Sequence, residues 1–186
     1  RAQEAEQVLR AATDLDPRHR RSLAALRALA EAREDYPALL EVLGLESEAC
    51  EDEAERFSTL VRLAEIAAER LGDHRRAAEA LEKALALASE RARRGTERSL
   101  AVALQRCGEP QRALEIARRL AAGGGEDARA LHGLAADALE ALGDPAAAGE
   151  ELLEALALAP VITGPLSPPS PSPSTGPSPP PSPPSS

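Results

Sequence analysis

The sequence predicts an all-α protein: an α-solenoid of antiparallel helix hairpins with a disordered Pro/Ser-rich C-terminal tail. Three observations predict it. The 186 residues are 43% hydrophobic but 1% aromatic. The core must therefore be built from Leu, Ala, Val and Ile, which suits close helix packing and suits sheets poorly. Residues 70–89 (RLGDHRRAAEALEKALALAS) and 141–160 (ALGDPAAAGEELLEALALAP) agree at eleven of twenty positions without a gap. Finally, a helix-stop, helix-start punctuation recurs at Glu34-Asp35, Gly72-Asp73, Gly108-Glu109 and Gly143-Asp144, with second members 38, 36 and 35 residues apart. A period near that length with two helices per unit marks a helical repeat array.

The elements follow in chain order. Ala5, Leu9 and Ala12 recur at helical spacing, with Pro17 just beyond, which predicts an orphan helix over about 2–14 that lacks its hairpin partner. Hairpins are expected over about 18–49, 52–90, 96–122 and 126–159. In the second hairpin, Leu60, Leu63, Ala64, Ala67 and Leu71 form one apolar stripe, with Arg62, Glu65 and Glu69 between them. Gly72 supplies a left-handed stop and Asp73 a carboxylate cap for the next helix, whose Ala77, Leu81, Ala84, Leu85 and Ala88 share a side. Stop and cap in adjacent positions leave almost no loop, so the two helices fold back on each other. The first of them holds one extra residue before Gly72. The third hairpin puts Ala113, Ala117 and Leu120 at the packed positions. The fourth puts Ala148, Leu152 and Ala155 there, with Pro145 at the first helical position. Gly123–Gly125 interrupts the array as a loop and candidate hinge, because each Gly costs a helix about 1 kcal/mol relative to Ala. Residues 161–186 hold eleven of the 16 prolines and no charge. Such a tract can neither continue a helix nor bury enough surface to order itself, so it is expected to be an extended, disordered linker or tail.

These residues resemble the tetratricopeptide repeat (TPR) family, a bacterial-type helical repeat protein in this case given the Ala/Arg/Gly/Pro bias of GC-rich coding. The likeness rests on the period, the turn chemistry, the small residues where helices cross and Pro160 closing the last unit. Smaller residues stand at the family's large aromatic positions, and His132 sits where Trp is common. The resemblance implies a TPR-like superhelix over residues 1–160. It also implies a non-catalytic scaffold that holds a peptide or helix of a partner protein on its concave face. The lining would come from the first helix of each pair: Arg21, Ala24, Ala28 and Glu31; Ser58, Val61 and Glu65; Arg98, Val102 and Gln105; Gly133, Asp137 and Glu140. The subclass that clamps a C-terminal carboxylate uses Lys and Asn here. This chain has no Asn, and its one lysine, Lys83, falls on a second helix. The alternative function is a regulatory or sensor TPR domain of a larger signalling or transcription-control protein whose effector domain lies outside this chain. A start at Arg1 within a helical pattern, in a chain without Met, suggests such a fragment.

Other chemistries find little support. The net charge of −9 belongs entirely to residues 1–160, so no basic footprint for nucleic acid or an anionic membrane is present. No apolar run is long enough to span a bilayer and no signal-peptide core opens the chain, which points to a cytoplasmic location. Cys50 and Cys107 lie far apart and read as free structural thiols. His19, His74 and His132 belong to separate units without partners at metal-ligand spacing. Neither a catalytic constellation nor a cofactor or metal site is expected. Leu152, Leu153, Leu156 and Leu158 on the last helix have no obvious helix to cover them all, and self-association through uncapped array ends is a further expectation.

Overall fold

A computed structural model describes residues 2–158, without the side chains of Ala2, Gln3 and Ala5. The expected tail, Pro160 and the packing of Ala5 lie outside the described residues. Within them the chain forms α1 (Ala2–Leu15), α2 (Arg20–Ala32), α3 (Tyr36–Ala49), α4 (Glu53–Arg70), α5 (His74–Leu87), α6 (Glu90–Arg106), α7 (Pro110–Ala122), α8 (Ala128–Ala141) and α9 (Pro145–Ala157). No strand occurs among these residues. Each helix packs on the next in sequence, and α6 also touches α8. This one-dimensional contact pattern is that of an α-solenoid.

The tight turns are built by one device. Asp35, Asp73 and Asp144 each accept a hydrogen bond from a first-turn amide, at Ala38 (3.1 Å), Arg76 (3.0 Å) and Ala147 (3.1 Å). The amides of Asp35, Glu109 and Asp144 donate back to Ala30, Leu104 and Leu139 of the preceding helix, each at 2.9 Å. In the α4–α5 turn the corresponding bond reaches one residue further, from Asp73 N–H to Ala67 O at 2.8 Å. That longer reach absorbs the extra residue before Gly72. Gly72, Gly108 and Gly143 all take left-handed φ, and in the turn without glycine Glu34 does so, at φ 54°. Glu109 departs from the capping scheme: its carboxylate binds the Arg112 guanidinium at 2.7 Å and caps no amide.

Alanines set the closeness of packing. Ala67, Ala84, Ala101, Ala113, Ala117, Ala135 and Ala138 are fully buried, and side chains this small allow close helix packing. Leu23, Leu43, Leu104 and Leu131 fill the space between, each stabilising the fold by roughly 1.5–3 kcal/mol through burial. The largest continuous core runs from Ala30 of α2 to Ala113 of α7.

Several positions differ from the sequence pattern. α6 begins at Glu90, ahead of the start near 96 expected for that hairpin. Ser89 caps it by accepting from Ala92 N–H, and Gly95 rides on an exposed face where its missing side chain costs no contact. Leu71 is not part of the α4 stripe: the helix ends at Arg70, and Leu71 is an exposed cap. Leu152 is exposed rather than packed, although its counterpart Leu81 is buried. α6 packs on α5, whereas no helix follows α9 among the described residues. Nor is the Gly123–Gly125 loop an unanchored hinge. The Arg94 guanidinium of α6 donates to Gly124 O and binds Asp127 Oδ1 at 2.7 Å, strapping the loop to the preceding hairpin.

Candidate partner-binding surface

The first helices of the hairpins, α2, α4, α6 and α8, carry the candidate lining residues. Arg21, Ala24, Ala28, Glu31, Ser58, Glu65, Arg98, Val102, Asp137 and Glu140 are exposed, and Val61, Gln105 and Gly133 are half-buried. The structure divides most of them among three different environments, while Ala28 and Ser58 line neither cleft described below.

Between α2 and α4, with α3 as the floor, lies a cleft of about 330 Å³ that includes Arg21 and Ala24. Its charges are largely matched to one another. Arg20 makes a two-pronged contact with Glu55 at 2.5 and 2.7 Å, and Arg27 reaches Glu46 at 3.2 Å. Burial pushes the Glu46 carboxyl above its ordinary value despite Arg27. Glu31 is not a free groove carboxylate: it binds Arg62 of α4 at 2.7 Å.

Between α4 and α6, with α5 as the floor, lies a larger cleft of about 570 Å³. It gathers Val61, Glu65, Arg98 and Val102 from the candidate set. It also takes in residues that sequence reasoning missed, chiefly Glu69, Arg106 and His74. Glu69 follows Glu65 by one helical turn and Arg106 follows Arg98 by about two, so extending the rows at helical spacing would have found both. His74 enters because the short Gly72-Asp73 turn places the start of α5 at the cleft. The floor is apolar, with Ala64, Ala68, Ala77, Leu81 and Ala103.

At the third junction α6 touches α8 directly, and Gly133, Asp137 and Glu140 lie outside both clefts. Gln105 Oε1 is buried there without a hydrogen-bond partner among the described residues. Behind α8, the Glu151 carboxylate of α9 accepts from His132 at 2.8 Å and from Arg118 of α7 at 2.6 Å. Burial works to raise the Glu151 carboxyl, but the two hydrogen bonds and the Arg118 charge outweigh it and hold it below its ordinary value of 4.5. His132 thus packs between helices as a polar tie. His19, at the start of α2, contacts the Ser22 hydroxyl at 2.7 Å. Cys50 and Cys107 are free thiols, and burial pushes both above their ordinary value, which disfavours the reactive thiolate.

Residues 57–91 and 128–161 match the sequence profile of the tetratricopeptide repeat family. These two segments are tetratricopeptide repeats. The two matched segments hold most of α4–α5 and all of α8–α9, and the α2–α3 and α6–α7 helix pairs precede them in turn along the chain. The TPR array is similar to the nearly identical TPR-like repeats assigned to a kinesin light chain of Podosopora anserina. That likeness has a TM-score of 0.59 and 22% identity over 84% of this chain and 86% of that one. It is similar also to MamA, with a TM-score of 0.55 and 16% identity over 82% of this chain and 85% of that one. At these identities the fold is what is shared. No curated protein matches the chain. TPR arrays generally mediate protein–protein interaction, and no helix among the described residues is long and apolar enough to cross a membrane.

Proposed function

We propose that residues 1–160 act as a non-catalytic scaffold that binds a peptide segment of a partner protein in the concave face, centred on the α4–α6 cleft. One observation carries this: four residues that the family resemblance implies for the groove, Val61, Glu65, Arg98 and Val102, line the cleft of about 570 Å³. That volume falls within the range of roughly 300–1,000 Å³ common for ligand sites. Its apolar floor and charged rim are the usual anatomy of a peptide-binding groove. Val102 is 40% exposed at the mouth, so a bulky residue there would obstruct the cleft without entering the core. The test is affinity capture from the source proteome with the wild-type chain and with Val102→Trp. Partners held by the wild type and lost by the variant support the role. Partners retained equally by both refute it.

A second reading has its own observation. Leu152, Leu153 and Leu156 are 46%, 66% and 62% exposed along α9, and Leu158, which caps its end, is 51% exposed. Self-association through this face predicts a concentration-dependent dimer in sedimentation that is lost in Leu153→Glu/Leu156→Glu. A monomer at all concentrations removes it.

A further inference from the structure

The three junctions between first helices treat their charges differently. At α2–α4, acidic and basic side chains are consumed against each other, Arg20 with Glu55 and Glu31 with Arg62. At α6–α8 the helices are in contact. At α4–α6 the helices stand apart and the two walls carry opposite signs: Glu65 and Glu69 on α4, Arg98 and Arg106 on α6. All four side chains are exposed, and no ion pair joins one wall to the other among the described residues.

Opposite charges facing across a gap with nothing between them form a polarised slot. A ligand gains at both walls when it presents a cation to α4 and a carboxylate to α6, and a ligand of uniform charge gains at one wall and is repelled at the other. Glu65 and Glu69 stand about 6 Å apart along α4, and Arg98 and Arg106 about 12 Å apart along α6, at 1.5 Å per residue. An extended chain rises about 3.3 Å per residue, so a segment of about four residues spans the slot. Between the walls the Ala64, Ala68, Ala77, Leu81 and Ala103 floor offers an apolar side chain a dry seat.

We infer that the α4–α6 cleft selects a zwitterionic peptide: a short extended segment with an apolar residue for the floor, a basic residue directed to Glu65 and Glu69, and an acidic residue directed to Arg98 and Arg106. The inference rests on the concave-face binding role and specifies the chemistry of its ligand. It also sets the salt response, because exposed charge contacts weaken as ionic strength rises.

The test is selection of a random displayed peptide library on three forms of the full chain. These are the wild type, the all-basic slot Glu65→Arg/Glu69→Arg and the all-acidic slot Arg98→Glu/Arg106→Glu, each checked for helicity by circular dichroism. The wild type should enrich peptides with a basic and an acidic residue flanking an apolar one. The all-basic form should enrich acidic peptides, and the all-acidic form basic ones. Peptides selected on the wild type should lose about tenfold or more in affinity on either reversed chain. The same charge signature on all three forms, or no enrichment on any, overturns the inference. The same peptides are then measured on Val102→Trp. Peptides that lack the charge pattern yet lose binding to Val102→Trp defeat the charge inference and leave the concave-face role standing. Peptides that bind Val102→Trp as well as the wild type defeat both.

Discussion

The turn at Glu34 should be improvable by one substitution. Glu34 is the one described non-glycine residue with positive φ, at 54°, in the position that Gly72, Gly108 and Gly143 hold in the other turns. An L-residue with a Cβ is disfavoured in that region by about 1–2 kcal/mol. Glu34→Gly removes this cost and restores about 0.4–1 kcal/mol of unfolded-chain entropy against folding. The exposed Glu34 side chain makes no ion pair among the described residues, so little else changes there. The expected net gain is about 0.5–1 kcal/mol. Gly72→Ala should lose about the same amount by the reverse argument. An added Cβ at Gly72 meets no atom within 4 Å, so the loss measures backbone conformation rather than a clash. Urea unfolding followed at a helix band in circular dichroism reads both. At a slope of about 1–3 kcal/mol per molar urea, the midpoints should move by a few tenths of a molar in opposite directions. If Glu34→Gly is neutral or destabilising while Gly72→Ala is silent, the left-handed positions do not carry the turn energetics assigned to them.

Three further outcomes follow from named contacts. Glu151 has a depressed carboxyl pKa in the folded chain, so its stabilisation is complete above its ordinary value of 4.5 and is lost as pH falls through the lower folded-state value. The stability difference between the wild type and Glu151→Gln should shrink over that acid window, and parallel pH curves would contradict it. Arg94→Ala removes both contacts to the Gly124–Asp127 loop, and limited proteolysis should then cut near Gly123–Gly125 faster than in the wild type; an unchanged cutting rate would show that the strap does not restrain the loop. Leu104→Ala, at a fully buried site in the main core, should cost about 2–5 kcal/mol in the same urea assay, whereas a cost well under 1 kcal/mol would show a loosely packed α5–α6–α7 junction.

The turns were the most legible part of the fold because their determinants are local. Asp73 beside Gly72 contains both halves of the stop-and-cap device, and the structure uses both. Glu34 was harder, since nothing in its own chemistry announces a left-handed residue, and its role follows from the period alone. The start of α6 was hidden because Arg91, Arg93, Arg94 and Gly95 look like a linker in one dimension. In three dimensions that segment turns a polar face outward and sends Arg94 to the glycine loop. The site was half legible. The family resemblance implies Val61, Glu65, Arg98 and Val102 as groove residues, and the four line one cleft, but neither resemblance nor helical spacing shows which junctions open. That depends on contacts between residues about one repeat apart, such as Glu31 with Arg62, which pair charges off against each other. The Arg118–Glu151–His132 tie was invisible for the same reason: it joins three helices of two hairpins, and no spacing rule connects its members.

The account stands on the α4–α6 cleft being where a partner binds, and valine composition offers a sparse probe of it. The chain has five valines, and two of them, Val61 and Val102, line the cleft. Val8 is exposed on α1 and Val42 is buried in α3, both outside it. Methyl NMR of the valine-labelled chain, titrated with a peptide selected on the wild type, should shift Val61 and Val102 and leave Val8 and Val42 in place. Shifts at Val8 or Val42 with Val61 and Val102 unmoved would contradict the account.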